Sequence, residues 1–191
     1  MKFHSSVISI SCCLLVAIGV ALLVWAGGSM VYAQIYQHYE NARFEDQSIA
    51  NSQEPSELQE GDLIGKLEIP EVGISVIVLQ GTKESTLSVA AGHIPGTALP
   101  GHNGNTAIAA HRDTFFRKLR GIHTGDSIQF STSQGTSWYS VTTMEVVEPS
   151  NMKVLQSRGY SELTLITCYP FYFIGGAPQR FIVHALPSPG N

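Results

Sequence analysis

Between residues 7 and 33 the chain carries no charged side chain. A membrane-spanning helix needs about 20 largely apolar residues, and the apolar core of a secretory signal is only about 7–15. The run therefore predicts an uncleaved transmembrane signal anchor over residues 1–33, although Val31-Tyr32-Ala33 has the small residues of a cleavage site. Trp25 and Tyr32 fall toward its far end, where interfacial aromatics belong. Residues 34–60 are polar and predict an extracytoplasmic stem, helical to about Phe44 and then a linker through SIANSQEPSELQEGD. From residue 61 the pattern changes to short β-rich runs, at 64–69, 74–79, 107–110, 127–130, 138–147, 163–167 and 181–185. Several alternate apolar and polar positions, and Gly and Pro separate them. That pattern predicts an all-β domain over residues 61–191, a sandwich or a barrel. Two short helical pieces are expected, at 115–119 with Asp113 as a cap and at 151–156.

Charge narrows the partners. The 191 residues hold 11 Lys and Arg against 15 Asp and Glu, for a formal net charge of −4. No basic stripe is present, which argues against a nucleic-acid partner. Lys2 precedes the apolar run, and Glu40, Arg43, Glu45 and Asp46 follow it. The positive-inside rule then puts the N-terminus in the cytoplasm, with one pass through the cytoplasmic membrane and the β domain outside. Acidic residues are scattered rather than clustered, so no calcium site is implied, and no cofactor is expected.

Cysteine usage brings in chemistry. Cys12 and Cys13 lie inside the apolar run, so Cys168 is the lone thiol of the β domain and has no disulfide partner there. An unpaired cysteine is commonly a small buried hydrophobe. Cys168, however, ends the strand-like run Leu163-Thr164-Leu165-Ile166-Thr167, and Arg180 opens the next strand after the aromatic loop Tyr169-Pro170-Phe171-Tyr172-Phe173 and its Gly175-Gly176 turn. If the two strands are antiparallel neighbours, thiol and guanidinium share one site, and the fixed donors of an arginine suit an oxyanion. His93, His102 and His111 recur at equal spacing. A zinc site with Cys168 as fourth ligand is disfavoured, because zinc motifs usually place one ligand pair close in sequence. His111 has the best context: it ends an apolar strand and precedes Arg112-Asp113, at a rim where sites are commonly built. His93, just after Ala91-Gly92, is a weaker candidate for contact with substrate.

Together these motifs resemble those of the sortases. Thr164-Leu165-Ile166-Thr167-Cys168 looks like the TLxTC signature, Ala-His111-Arg-Asp-Thr-Phe-Phe like the histidine motif, and Pro-Gln-Arg180-Phe-Ile-Val like the arginine motif. GHIPGTALPG and HRDTFFRKL are similar to class D members in particular, and the Asp-Pro-aromatic lid motif of pilus-building class C members is not found. The resemblance implies a closed eight-stranded β-barrel. It implies a cysteine transpeptidase that cuts an LPxTG-like sorting signal after Thr through a thioacyl intermediate and passes the protein to a surface amine. Cys168 would be the nucleophile, His111 the acid and base, and Arg180 the oxyanion donor. Thr167, the Tyr169 backbone N–H and His93 are secondary candidates for substrate contacts. The implied partners are secreted proteins bearing such signals and an acceptor amine from a peptidoglycan precursor or a pilin. Three rival readings remain: a cysteine peptidase that hydrolyses the same intermediate, an L,D-transpeptidase, disfavoured because Thr rather than Gly precedes Cys168, and a non-catalytic anchored barrel that binds a surface partner.

Overall fold

The computed structural model describes residues 2–47, 58–173 and 175–189, with the side chains of the first helix described in part. Two compact units result, Met1–Tyr36 and Gln37–Asn191. Helix α1 spans Lys2–Gln47, and Leu14, Leu22, Leu23, Val24 and Trp25 on it are exposed. Among the described residues no helix is long and apolar enough to cross a membrane. The transmembrane helix expected over residues 1–33 is therefore not found among the described residues, and the side chains of residues 1–13, 26, 29 and 30 lie outside them. Most of the expected linker, residues 48–57, also lies outside it.

The strands are β1 (Leu63–Ile69), β2 (Ile74–Gln80), β3 (Ala91–His93), β4 (Asn105–Ala109), β5 (Ser127–Thr132), β6 (Gly135–Val147), β7 (Glu162–Tyr169) and β8 (Gln179–Pro187). They close into a barrel in the order β1-β2-β3-β4-β7-β8-β6-β5. Closure leaves no free sheet edge to be protected. In β1, Leu67 and Ile69 are fully buried, and Lys66 and Glu68 on the other face pair at 3.1 Å. Leu67, Ile128, Phe130, Leu163, Leu165 and Val183 fill the interior. Burying a side chain of this size contributes about 1.5–3 kcal/mol.

Strand β3 is the one that the periodicity misses. It is three residues long and contains Gly92, too little to register an alternation. Its glycine is required by packing: a Cβ at Gly92 would lie 2.1 Å from the Gly81 carbonyl oxygen. Helix α2 (Glu84–Leu87) and the 3-10 turn Pro70–Val72 are likewise too short to read. The expected helix after Asp113 is a 3-10 turn, Arg117–Gly121, and Phe116 rather than Asp113 stands at its N-cap without a side-chain bond. Asp113 instead lies 3.5 Å from the Arg112 guanidinium. The other expected helical piece is a 3-10 turn at Met152–Leu155, where the Asn151 side chain accepts from the Lys153 N–H.

A second, smaller packing cluster covers the outer face of β7 and β8. Val147, Val154 and Ile182 are its buried members, with Leu155 and Ile166 packed against them. Further along the same face is a polar brace. His184 (4% exposed) bridges Glu162 Oε1 at 3.0 Å through Nδ1 and Glu145 Oε1 at 3.1 Å through Nε2. Thr164 Oγ1 donates to Asn105 Oδ1 at 2.8 Å, and Asn105 Nδ2 donates to the Val154 carbonyl at 2.8 Å. Glu162 is buried with Oε2 unpartnered, and the Arg158 guanidinium lies 3.5 Å from its Oε1. Removing the imidazole takes a hydrogen-bond partner from the buried Glu162 carboxyl group, at a cost of about 1–3 kcal/mol. His184→Leu should thus lower the unfolding free energy measured in urea by that order, whereas Glu145→Gln, whose carboxylate is half exposed, should cost no more than about 1 kcal/mol. Equal losses in the two variants would contradict the brace.

Candidate active site

Residues on a strand alternate between its faces. On β7, Leu163 and Leu165 point into the barrel core, so Thr164, Ile166 and Cys168 share the outer face. Strand β8 runs antiparallel to β7 with Cys168 opposite Arg180 and Ile166 opposite Ile182. Thiol and guanidinium therefore stand side by side on the outer surface, next to the apolar floor of Ile166, Ile182, Val147 and Val154. Cys168 is a free thiol, neither buried nor fully exposed.

Strand β4 flanks the other side of β7 in parallel, with Ala109 opposite Ile166. The ladder continues one residue further, where the Ala110 N–H donates to the Ile166 carbonyl at 3.1 Å. The same register carried past the strand would set His111 level with Cys168. Thr167, 2% exposed, locks this step: its Oγ1 donates to the Ala110 carbonyl at 2.7 Å. Thr167 thus binds the segment that carries His111, with its side chain turned away from the outer face. His111 is 37% exposed, and its Nε2 lies 3.6 Å from Glu84 Oε1 on α2. So long and solvated a contact contributes little energy.

The loop between Cys168 and Arg180 is tethered from the segment after β4. Arg112, 5% exposed, donates from Nη1 to the Pro170 carbonyl at 2.9 Å and from Nη2 to those of Phe173 at 2.5 Å and Gly175 at 2.9 Å. Arg120 donates to Tyr172 Oη at 2.6 Å from the exposed side. Tyr169, Phe171 and Phe181 stack at the root of the loop, with ring centroids 5.3–6.3 Å apart. Arg180 is less committed: Nη1 donates to the Ala177 and Gln179 carbonyls at 3.3 and 3.0 Å, and among the described residues no carboxylate pairs with it. Arg112, Arg120 and Glu84 are neighbours of the site that the sequence reading did not single out. The signal for Arg112 was its place directly after His111.

His93 is drawn into the structure instead. It is 2% exposed, with Nδ1 2.7 Å from Gln80 Oε1 and Nε2 2.9 Å from the Ala98 carbonyl. Both ring nitrogens are engaged by the protein, which leaves none for a peptide substrate. His102 lies in the loop before β4 with Nδ1 3.3 Å from the Pro100 carbonyl. The equally spaced histidines end in different settings because a strand, a turn and a strand end intervene. Among the described residues no three His, Cys, Asp or Glu side chains come together as a metal set.

Two stability measurements follow. Thr167→Val removes the 2.7 Å bond and leaves the Ala110 carbonyl unpaired, which should cost about 1–3 kcal/mol in urea unfolding; an unchanged midpoint would show the lock to be idle. Burial pushes the pKa of His93 below its ordinary 6.5, against the opposing pull of the Ala98 carbonyl. The unfolded chain then takes up the proton more readily than the folded one, so stability is full above pH about 6.5 and falls as the pH drops below it. His93→Asn should flatten the stability loss between about pH 7 and 5.5 relative to wild type. An identical pH slope in the two proteins would sink that assignment.

Comparison with known proteins agrees with this geometry. The family model described as the Sortase domain matches residues 67–188. The chain is 31% identical to sortase D of Bacillus subtilis over 125 residues, 65% of this chain and 63% of that protein. It is 30% identical to sortase A of Bacillus anthracis over 115 residues, 58% of this chain and 54% of that protein. The chain thus spans less than two thirds of the length of these curated relatives. Among solved structures, the Clostridium perfringens sortase D5 transpeptidase superposes with a TM-score of 0.68 at 26% identity, covering 82% of this chain and 98% of that one. Sortase A from Corynebacterium diphtheriae, a lid mutant, gives a TM-score of 0.64 at 28% identity, covering 70% and 74%.

Proposed function

The chain belongs to the sortase family, and from that membership we propose that it is a class D-like, membrane-anchored cysteine transpeptidase acting on surface proteins with an LPxTG-like sorting signal. The observation that carries the proposal is the pairing of Cys168 with Arg180 across β7 and β8, with His111 following the parallel neighbour β4. Support for the class comes from the sortase D and sortase D5 relatives. Support for the anchor comes from the uncharged run at residues 7–33, with the N-terminus in the cytoplasm and the barrel on the outer side of the cytoplasmic membrane.

Cys168 attacks the carbonyl carbon of the signal's Thr as the thiolate, since the neutral thiol is a poor nucleophile. The carbonyl oxygen takes up the negative charge, and the Arg180 guanidinium together with the Tyr169 backbone N–H stabilises it. Collapse expels the amine of the following residue, protonated by His111. The thioacyl enzyme remains. An amine on the cell surface, from a peptidoglycan precursor or a pilin, then attacks the same carbonyl and gives its proton to His111. The products are a new amide and the released Cys168 thiolate, with His111 protonated again. The apolar floor of Ile166, Ile182, Val147 and Val154 beside Cys168 suits the aliphatic residue that opens such a signal.

The test is incubation of the full chain with an LPxTG-type peptide, with and without triglycine. Mass spectrometry should find a thioacyl adduct on Cys168 and a peptide–triglycine amide that forms only when the amine is present. Cys168→Ala should abolish both, and Arg180→Ala should lower the rate about 100-fold, the range for loss of an oxyanion donor. Cleavage indifferent to amine, with no amide product, would instead identify a hydrolytic peptidase.

A further inference from the structure

We propose that Arg112 is a positioning residue for this reaction, one that sets the alignment of His111 with Cys168 and Arg180 by holding the β7–β8 loop against the segment after β4. The proposal rests on the transpeptidase reading of the site. Three features carry it. Arg112 is covalently next to His111, so whatever holds its side chain holds that backbone. Its guanidinium is 5% exposed and binds three carbonyls of a single loop, those of Pro170, Phe173 and Gly175. That loop leaves the barrel one residue after Cys168 and returns one residue before Arg180, so both reacting elements are tied close to its ends.

The chemistry of the side chain fits fastening better than contact with substrate. A guanidinium has five N–H donors in one plane and keeps its charge. In Arg112 both terminal nitrogens are occupied by carbonyls, and Nε faces Asp113 Oδ1 at 3.5 Å. The Phe173 ring lies 6.0 Å from the guanidinium carbon, a further favourable contact for a buried cation. Lysine could not reproduce this, because an ammonium is a point donor without the planar fork. Loop carbonyls are met by backbone, by side chains or by water. Here three carbonyls converge on one cation from the neighbouring strand's exit, so the loop's shape is set by the residue beside His111.

Positioning of this kind is sensitive, since a misplacement of about 1 Å can cost about 100-fold in rate. The experiment compares the full chain with Arg112→Gln, Arg112→Lys, His111→Ala and the Arg112→Gln/His111→Ala double variant. Thermal unfolding, kcat and KM for peptide plus triglycine, and the pH profile of Cys168 alkylation by iodoacetamide are measured for each. Arg112→Gln should lose about 10- to 100-fold in kcat with KM changed less than about threefold, and Arg112→Lys should recover part of the loss. The alkylation profile of Arg112→Gln should move toward that of His111→Ala, and the double variant should match His111→Ala alone, because both changes disturb one arrangement. If Arg112→Gln does not fold, Arg112→Lys carries the same test through its alkylation profile. Wild-type kcat in Arg112→Gln, or losses that multiply independently in the double variant, would overturn the proposal. Alkylation reports on Arg112 without any peptide: a shifted profile in a chain that processes no sorting peptide would support the positioning role while removing the transpeptidase reading, and an unshifted profile beside intact turnover would do the reverse.

Discussion

The double pairing of β7, parallel with β4 on one side and antiparallel with β8 on the other, is the constraint on which the site depends. A shift of one residue in either pairing would turn every side chain of β7 to the opposite face. The interior forbids that shift. Leu163, Leu165 and Val183 are fully buried in the barrel, and exposing each would cost about 1.5–3 kcal/mol. Cys168 stands opposite Arg180 because leucines a few positions earlier cannot leave the core. Hydrophobic packing, which has no direction of its own, becomes directional through the alternation of the strand.

Polar side chains carry that order past the end of the ladder. The ladder of β4 stops at Ala109, and the last backbone bond reaches Ala110. Beyond it, Thr167 fixes the Ala110 carbonyl from one side and Arg112 fixes the loop from the other. His111 lies between these two fastenings. The two arginines that flank the loop differ in what they have left to give. Arg112 has carbonyls on both terminal nitrogens and is buried; Arg180 spends one nitrogen on local carbonyls and is half-buried without a carboxylate partner among the described residues. A preorganised donor with unspent hydrogen bonds is what a developing oxyanion requires.

Long alternating runs made most of the barrel legible in the sequence. Seven strands correspond to runs visible as β-branched or alternating segments, and the juxtaposition of Cys168 and Arg180 follows once the last two are taken as neighbours. Strand β3 was not legible, since three residues around a glycine carry no period. Nor was Asp113, read as a helix cap: a short polar side chain before a helical turn has the same appearance whether it bonds a backbone N–H or a neighbouring guanidinium. The tether through Arg112 was hidden for a related reason. It joins residues far apart in the chain through carbonyl oxygens, and every residue type has one.

The histidines show why position alone did not sort them. His93 and His184 are almost fully buried, and each has both ring nitrogens facing protein oxygens. An imidazole held at both ends cannot hand a proton to a substrate without breaking a bond that braces the barrel. His111 is more than a third exposed, touches one solvated carboxylate at 3.6 Å, and has no partner for Nδ1 among the described residues. A general acid and base must reach the reacting nitrogen and exchange its proton with solvent between steps. Among the three, only His111 combines an accessible ring with a backbone held beside the strand of Cys168. Sequence context already set His111 ahead of His93, and the barrel widens that difference by giving His93 a closed set of partners and His111 an open face.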